Sequence, residues 1–169
     1  MSLKQARMLA RYNAWANCLI FDAVAGLPPG EAEKPRSGFY GSMLSTLNHL
    51  NAIGLIFQAH LQGREHGFAT RTMPQTVPLD ELWPRQQALD CWYVEWSDAL
   101  TEQTIDEPLR FSFVGGGEGE MSRGEILLHI ANHTSYHCGF IADHFYQVPA
   151  RPPTTDLPVF LRDARPSLD

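Results

Sequence analysis

The chain is short of cysteine, of positive charge and of long apolar runs, and each shortage removes a class of protein. Three cysteines stand among 169 residues, at positions 18, 91 and 138. An odd number so widely spaced is no disulfide framework and suits a reducing cytoplasm. Thirteen Lys and Arg face nineteen Asp and Glu, for a net charge of −6. Binding to nucleic acid needs a basic face, so that class is set aside. No stretch approaches the roughly 20 apolar residues of a membrane span. The opening "MSLKQARMLARYNAWANCLIFDAVAG" interrupts its apolar positions with Asn13, Asn17 and Asp22. It therefore lacks the apolar centre of a signal peptide and reads as an ordinary first helix. No internal repeat and no low-complexity segment is present. The expectation is a cytoplasmic protein that binds neither nucleic acid nor membrane.

What is present is a core. At 44% apolar residues, a chain of this length can bury one without disulfide staples, and residues 1–169 read as a single domain. Four stretches have helical period. The first runs from about Leu3 to Val24, with Leu9, Ala16, Leu19 and Ala23 in phase, and "GLPPG" stops it. The second runs from about Met43 to Gln62, with Leu47, Leu50, Ile53, Phe57 and Leu61 on one face and Gly63 as its terminator. The third covers roughly Leu82 to Glu102. Pro84 obscures its start, because proline is tolerated best in a first turn. The fourth opens at "SRGE", where Ser122 can cap and Glu125 can reach back; it runs through Tyr146 and stops before Pro149. Between the last two, "LRFSFVGGGEGEM" alternates and then turns on glycines, which predicts a small hairpin or loop. The proline-rich tail holds one short helical turn at "PVFLRD". The fold class expected is all-α, a four-helix bundle, whose core is a usual home for metal sites.

Three of the seven histidines fall in "HIANHTSYH", at 129, 133 and 137. With about 100° per residue and His129 at 0°, His133 falls near 40°, His144 near 60° and His137 near 80°. Ile126, Ile130 and Ile141 occupy the same arc, at about 60°, 100° and 120°. His133, His137 and His144 therefore point at the core, His129 lies at its edge, and Cys138 falls near 180°. One ion can take ligands four residues apart on a helix. His129 and His137 lie about 12 Å apart along the axis and are poor joint ligands. Two pairs remain, 129/133 and 133/137, and the core position of the second favours it. A third ligand must come from another helix, and His49 borders the apolar face of the second. His60 lies about 16 Å further along that helix. His66 sits in a loop beside a glycine and reads as exposed. Single inward histidines are usually hydrogen-bonded core residues, and that reading suits His60 and His144 best.

Taken together, these segments resemble the DinB/YfiT-like metal-dependent superfamily over nearly the whole chain. "MLARYNAWANCLIFDAV" is similar to the family's first helix. "LSTLNHLNAIGLIFQAHLQG" is similar to its second, with the metal-binding histidine at His49. "EILLHIANHTSYHCGFIADHF" is similar to its fourth, where the NHxxxH ligands are His133 and His137. The resemblance implies an up-down-down-up four-helix bundle with one long connection, a divalent ion on His49, His133 and His137, and a homodimer. Many members carry Arg after the last ligand, and this chain has Cys138. Characterised relatives include transferases that use bacillithiol or mycothiol, and a thiol-dependent isomerase.

Three neutral imidazoles leave a divalent ion its full charge, and an open position can activate a nucleophile. The expected function is therefore a metal-dependent enzyme that activates a low-molecular-weight thiol or water against a small-molecule substrate, in the manner of a thiol S-transferase. The alternatives are a metal-dependent hydrolase and a non-catalytic metal- or ligand-binding stress-type protein. Zinc and nickel suit three nitrogen ligands, and iron is a third possibility. Tyr12, Asn13, Trp15 and Asn17 are candidates for lining the pocket, against helix packing and capping. Asn48 and Asn132 precede ligands and could support them or face solvent. Tyr136 could hold a substrate oxygen or pack. Glu118 and Glu120 could act as bases or stay solvated, and no catalytic residue is assigned.

Overall fold

Hydroxyl caps set three of the helix starts. In the computed structural model, which describes residues 1–164, Ser2 and Gln5 form a capping box that opens α1, Leu3–Ala25. Ser42 accepts from the Ser45 amide and opens α2, Met43–Leu61. Ser122 and Glu125 form the second capping box and open α4, Arg123–Phe145. Each box satisfies amides that the first turn would otherwise leave bare. The third helix, α3, spans Leu79–Asp98 and has no side-chain cap. It starts a turn earlier than its periodicity suggests and keeps Pro84 in its second turn. Proline there forfeits a backbone bond. The neighbours compensate, since Leu82 is fully buried and Trp83 stacks on Phe21 with centroids 4.7 Å apart.

The molecule is mostly helical, with five helices and one small sheet among the described residues. α1 and α2 each pack against both α3 and α4. The alternating segment is a real hairpin, with β1 (Pro108–Ser112) antiparallel to β2 (Glu118–Ser122) and Phe111 opposite Gly119. Its turn is made by Gly115, Gly116 and Gly117 at φ of 95°, 101° and 95°, a region that side chains rarely enter. The "PVFLRD" turn grows into a short helix, α5 (Leu157–Asp163), which seats Phe160 against Tyr12 and Trp15.

Besides a small cluster of Tyr12, Ala16, Ala131 and Phe160, two larger apolar clusters fill the interior. Phe57, Leu89, Tyr93, Phe111 and Ile126 occupy one; Phe21, Leu47, Leu82, Ile141 and Phe145 occupy the other. Of the apolar residues that set the period of α1, only Ala16 is fully buried. Leu9, Leu19 and Ala23 are only partly buried, while Asn13 and Asn17 are buried. The reason is a carboxylate on the facing helix, Asp90, which Asn13, Asn17 and Gln86 all reach. No helix among the described residues is long and apolar enough to cross a membrane.

Candidate metal centre

Four residues of helix bring the His133 and His137 rings to one side of α4. Their Nε2 atoms stand 3.1 Å apart. α2 packs on this face of α4 and delivers His49, whose Nε2 lies 3.2 Å from that of His133. Ligand atoms of the three residues all fall within 4.8 Å of one another. His49 and His137 are buried and His133 is half-buried.

The protonation pattern of this cluster fits a cation. The Arg71 carbonyl accepts a hydrogen bond from His49 Nδ1 at 2.6 Å, so Nδ1 carries the proton and Nε2 presents a lone pair. Burial, followed by the neighbouring imidazoles, lowers His133 to about 3. Burial and then His49 lower His137 to about 4. Burial also lowers His49. All three rings are therefore neutral near pH 7. One proton on His133 Nε2 could serve one neighbour only, leaving another inward lone pair unmatched. Nitrogens on a tetrahedral zinc, with bonds of about 2 Å, lie about 3.3 Å apart, close to the two spacings seen. The carbonyl partner of His49 is the kind of outer support that metal-bound histidines use. His137 Nδ1 is buried with no partner and is the weak point of the arrangement.

The other histidines stay out of the cluster. His129 packs on Phe57 with centroids 4.5 Å apart, and 133/137 is the pair that meets His49. His60 stacks on Phe111 at 4.6 Å. His144 Nε2 reaches the Ser37 carbonyl at 3.3 Å. His66 is half-buried rather than exposed, and its Nδ1 accepts from the Phe68 amide. Cys138 is buried in the cluster around Phe21, and burial pushes its thiol up to about 12.

Several residues named from the sequence have other roles. The Tyr12 hydroxyl donates to the Thr155 carbonyl at 2.9 Å, and Trp15 packs on Phe160, so both hold the tail rather than the site. Asn48 is buried and binds both the amide and the carbonyl of Val77, at 2.8 and 3.0 Å. Asn132 is exposed. Glu120 pairs with Arg110, and Ser112 donates to Glu118, so both acids are held in the hairpin.

A cavity of about 760 Å³ opens over the three histidines. Tyr136 lines it, as do three parts of the chain that helical periodicity does not mark: the loop at Phe39 and Tyr40, the loop at Thr70–Thr72, and the hairpin turn at Phe113–Gly115. Tyr40 stacks on His49 at 4.6 Å. No local signal finds these residues, because they reach the histidines only through the fold.

Helices that bring three neutral imidazoles together beneath an open cavity define a helical protein with a site that could hold a metal ion. The DinB family profile matches residues 1–167, and the chain belongs to the DinB family. No curated protein matches it.

Proposed function

We propose that this protein is a metal-dependent enzyme of the DinB family that activates a small thiol for transfer to an electrophilic substrate. On this reading residues 1–169 form one domain, a four-helix bundle of up-down-down-up order with α5 and the hairpin added, and two copies form a cytoplasmic homodimer. The observation that carries the reading is the convergence of the His49, His133 and His137 nitrogens at the floor of a large open cavity. Those three residues would hold a divalent ion, with zinc or nickel the best match and iron third. When bound with an open position, such an ion supplies Lewis acidity, which lowers the pKa of a thiol or water that joins it.

The chain's own residues do the rest. The Arg71 carbonyl fixes the tautomer and tilt of His49, and Tyr40 covers one face of that ring. The rings of Phe57, Tyr136 and Phe140 supply apolar wall for the body of a substrate. Cys138, buried and held protonated, is no nucleophile.

The test combines metal content with turnover. Purified protein, dialysed against zinc or nickel, should hold one ion per chain. It should then consume electrophiles only when bacillithiol, mycothiol, glutathione or cysteine is supplied. Failure to load either metal would sink the metal reading. Metal-dependent turnover of esters or amides without thiol would establish the hydrolase instead. Metal binding with no turnover across these panels would establish a binding protein.

A further inference from the structure

The cavity over the histidines is unusual in its charge. The chain carries more acid than base, with a net charge of −6, yet no Asp or Glu lines this cavity. Arg71 does line it. Among the described residues, the Arg71 guanidinium makes no ion pair and no hydrogen bond. Arg11, Arg36, Arg110 and Arg123, by contrast, each pair with a carboxylate.

Arg71 is also well placed to act on a ligand. Its carbonyl is bound to His49, and Asn48 grips Val77 six residues on. The loop is thus tied at two points to the helix that supplies a histidine of the cluster, while the guanidinium remains available. Thr70 and Thr72 hydrogen-bond to each other beside it, at 3.1 Å between hydroxyls. Much of the rest of the wall is aromatic, and three of its rings are open to solvent. Phe39 is 85% exposed, Tyr136 64% and Phe113 50%. Uncovered rings around a cavity of ligand size favour an apolar body.

We propose that Arg71 is an anion-recognition residue of this cavity, so that the site takes a ligand with an apolar or aromatic body and a carboxylate. The carboxylate would meet the guanidinium in paired charge-assisted hydrogen bonds, and the body would lie against Phe39, Phe113 and Tyr136. This assignment rests on the reading of the cavity as the substrate site. It adds the chemical class of the substrate.

The experiment compares 3-phenylpropionate with 3-phenylpropanol, which share a body and differ in charge. Binding is followed by calorimetry or ligand-observed NMR on metal-free and zinc-treated protein, for the wild type, Arg71→Gln and Arg71→Lys. Each substitution keeps the carbonyl that His49 binds, and a thermal melt checks folding. The acid should bind about tenfold more tightly than the alcohol, with or without zinc. Arg71→Gln should abolish that preference and leave alcohol binding unchanged, and Arg71→Lys should keep part of it. Equal binding of acid and alcohol to the wild type, or no binding of either at millimolar concentration, overturns the assignment. So does an acid preference that survives Arg71→Gln. If that surviving preference appears only with zinc, the carboxylate sits at the histidine cluster, and the metal reading stands without Arg71. If the protein takes up no zinc but Arg71→Gln still erases the preference, Arg71 stands and the metal reading falls.

Discussion

Asp90 and His133 line the same small internal cavity, of about 10 Å³, yet their surroundings are opposites. Around Asp90 the groups that face the carboxylate are matched, although the side-chain oxygens of Asn13 and Asn17 have no partner. Its carboxylate accepts from Asn17 at 2.9 and 3.1 Å, from Gln86 at 3.0 Å and from Asn13 at 3.3 Å. Around His133 they are not. Two other imidazole nitrogens approach it within 3.2 Å, all three rings are neutral, and one shared proton can satisfy only one of the two contacts. A buried polar group without a partner costs about 1–3 kcal/mol. The Asp90 carboxylate is therefore satisfied within the fold, while the three imidazoles are arranged so that they could hold a cation. The two also differ in what they border. Asp90, His49 and His137 are all buried, but His133 is half-buried and all three histidines border the large cavity, which Asp90 does not. The first network ties α1 to α3, and the second leaves ring nitrogens beside open space.

The largest way to break this comparison is through pH. Burial raises Asp90 from 3.8 to about 7, against hydrogen bonds from Asn17, Gln86 and Asn13 that lower it. The folded protein keeps this proton up to about pH 7, while the unfolded chain releases it near 3.8. The stabilisation is therefore complete below the unfolded value and is lost as pH rises to the folded one. The whole window is worth about 4 kcal/mol. Urea unfolding from pH 4 to pH 8 should show the wild type losing stability with rising pH relative to Asp90→Asn. Parallel curves for the two proteins would show that the Asp90 carboxyl ionises normally.

Removing a member of the open cluster comes next. His133→Ala should weaken zinc binding by about a hundredfold or more, about 3 kcal/mol. His129→Ala should change it by less than threefold, or about 0.7 kcal/mol. A chelator-competition titration reads both. Equal losses would move the centre to the 129/133 pair.

A smaller effect is expected where α2 meets α3. A Cβ on Gly54 would stand 2.7 Å from Leu89 Cδ2, and the Gly54 carbonyl accepts from the Tyr93 hydroxyl at 2.8 Å. Gly54→Ala should therefore destabilise by about 2 kcal/mol, with zinc affinity per folded molecule kept. A melting temperature equal to the wild type would mean that Leu89 moves aside freely. The smallest effect belongs to Cys138→Ser, which places a hydroxyl in an apolar cluster and should cost about 1 kcal/mol. Metal content should not change. Loss of metal in the folded variant would contradict the placement of Cys138 away from the histidines.

Much of this protein is determined locally, and that part is legible in its sequence. Caps at Ser2 and Ser122 depend on residues three positions away, so α1 and α4 start where the sequence says they do. A spacing of four places His133 and His137 together on any helix. Membership of the DinB family rests on the sequence as well. The tertiary structure decided the rest, because the partners are distant in the chain. Asn13 and Asn17 look like interruptions of an apolar face until Asp90, more than seventy residues on, comes opposite them. Arg71 and Tyr40 lie in loops without period and reach His49 only after α2 and its flanking segments pack. Periodicity reports which side of a helix is buried. Packing alone determines which groups meet there, whether their hydrogen bonds close, and where the core is left open.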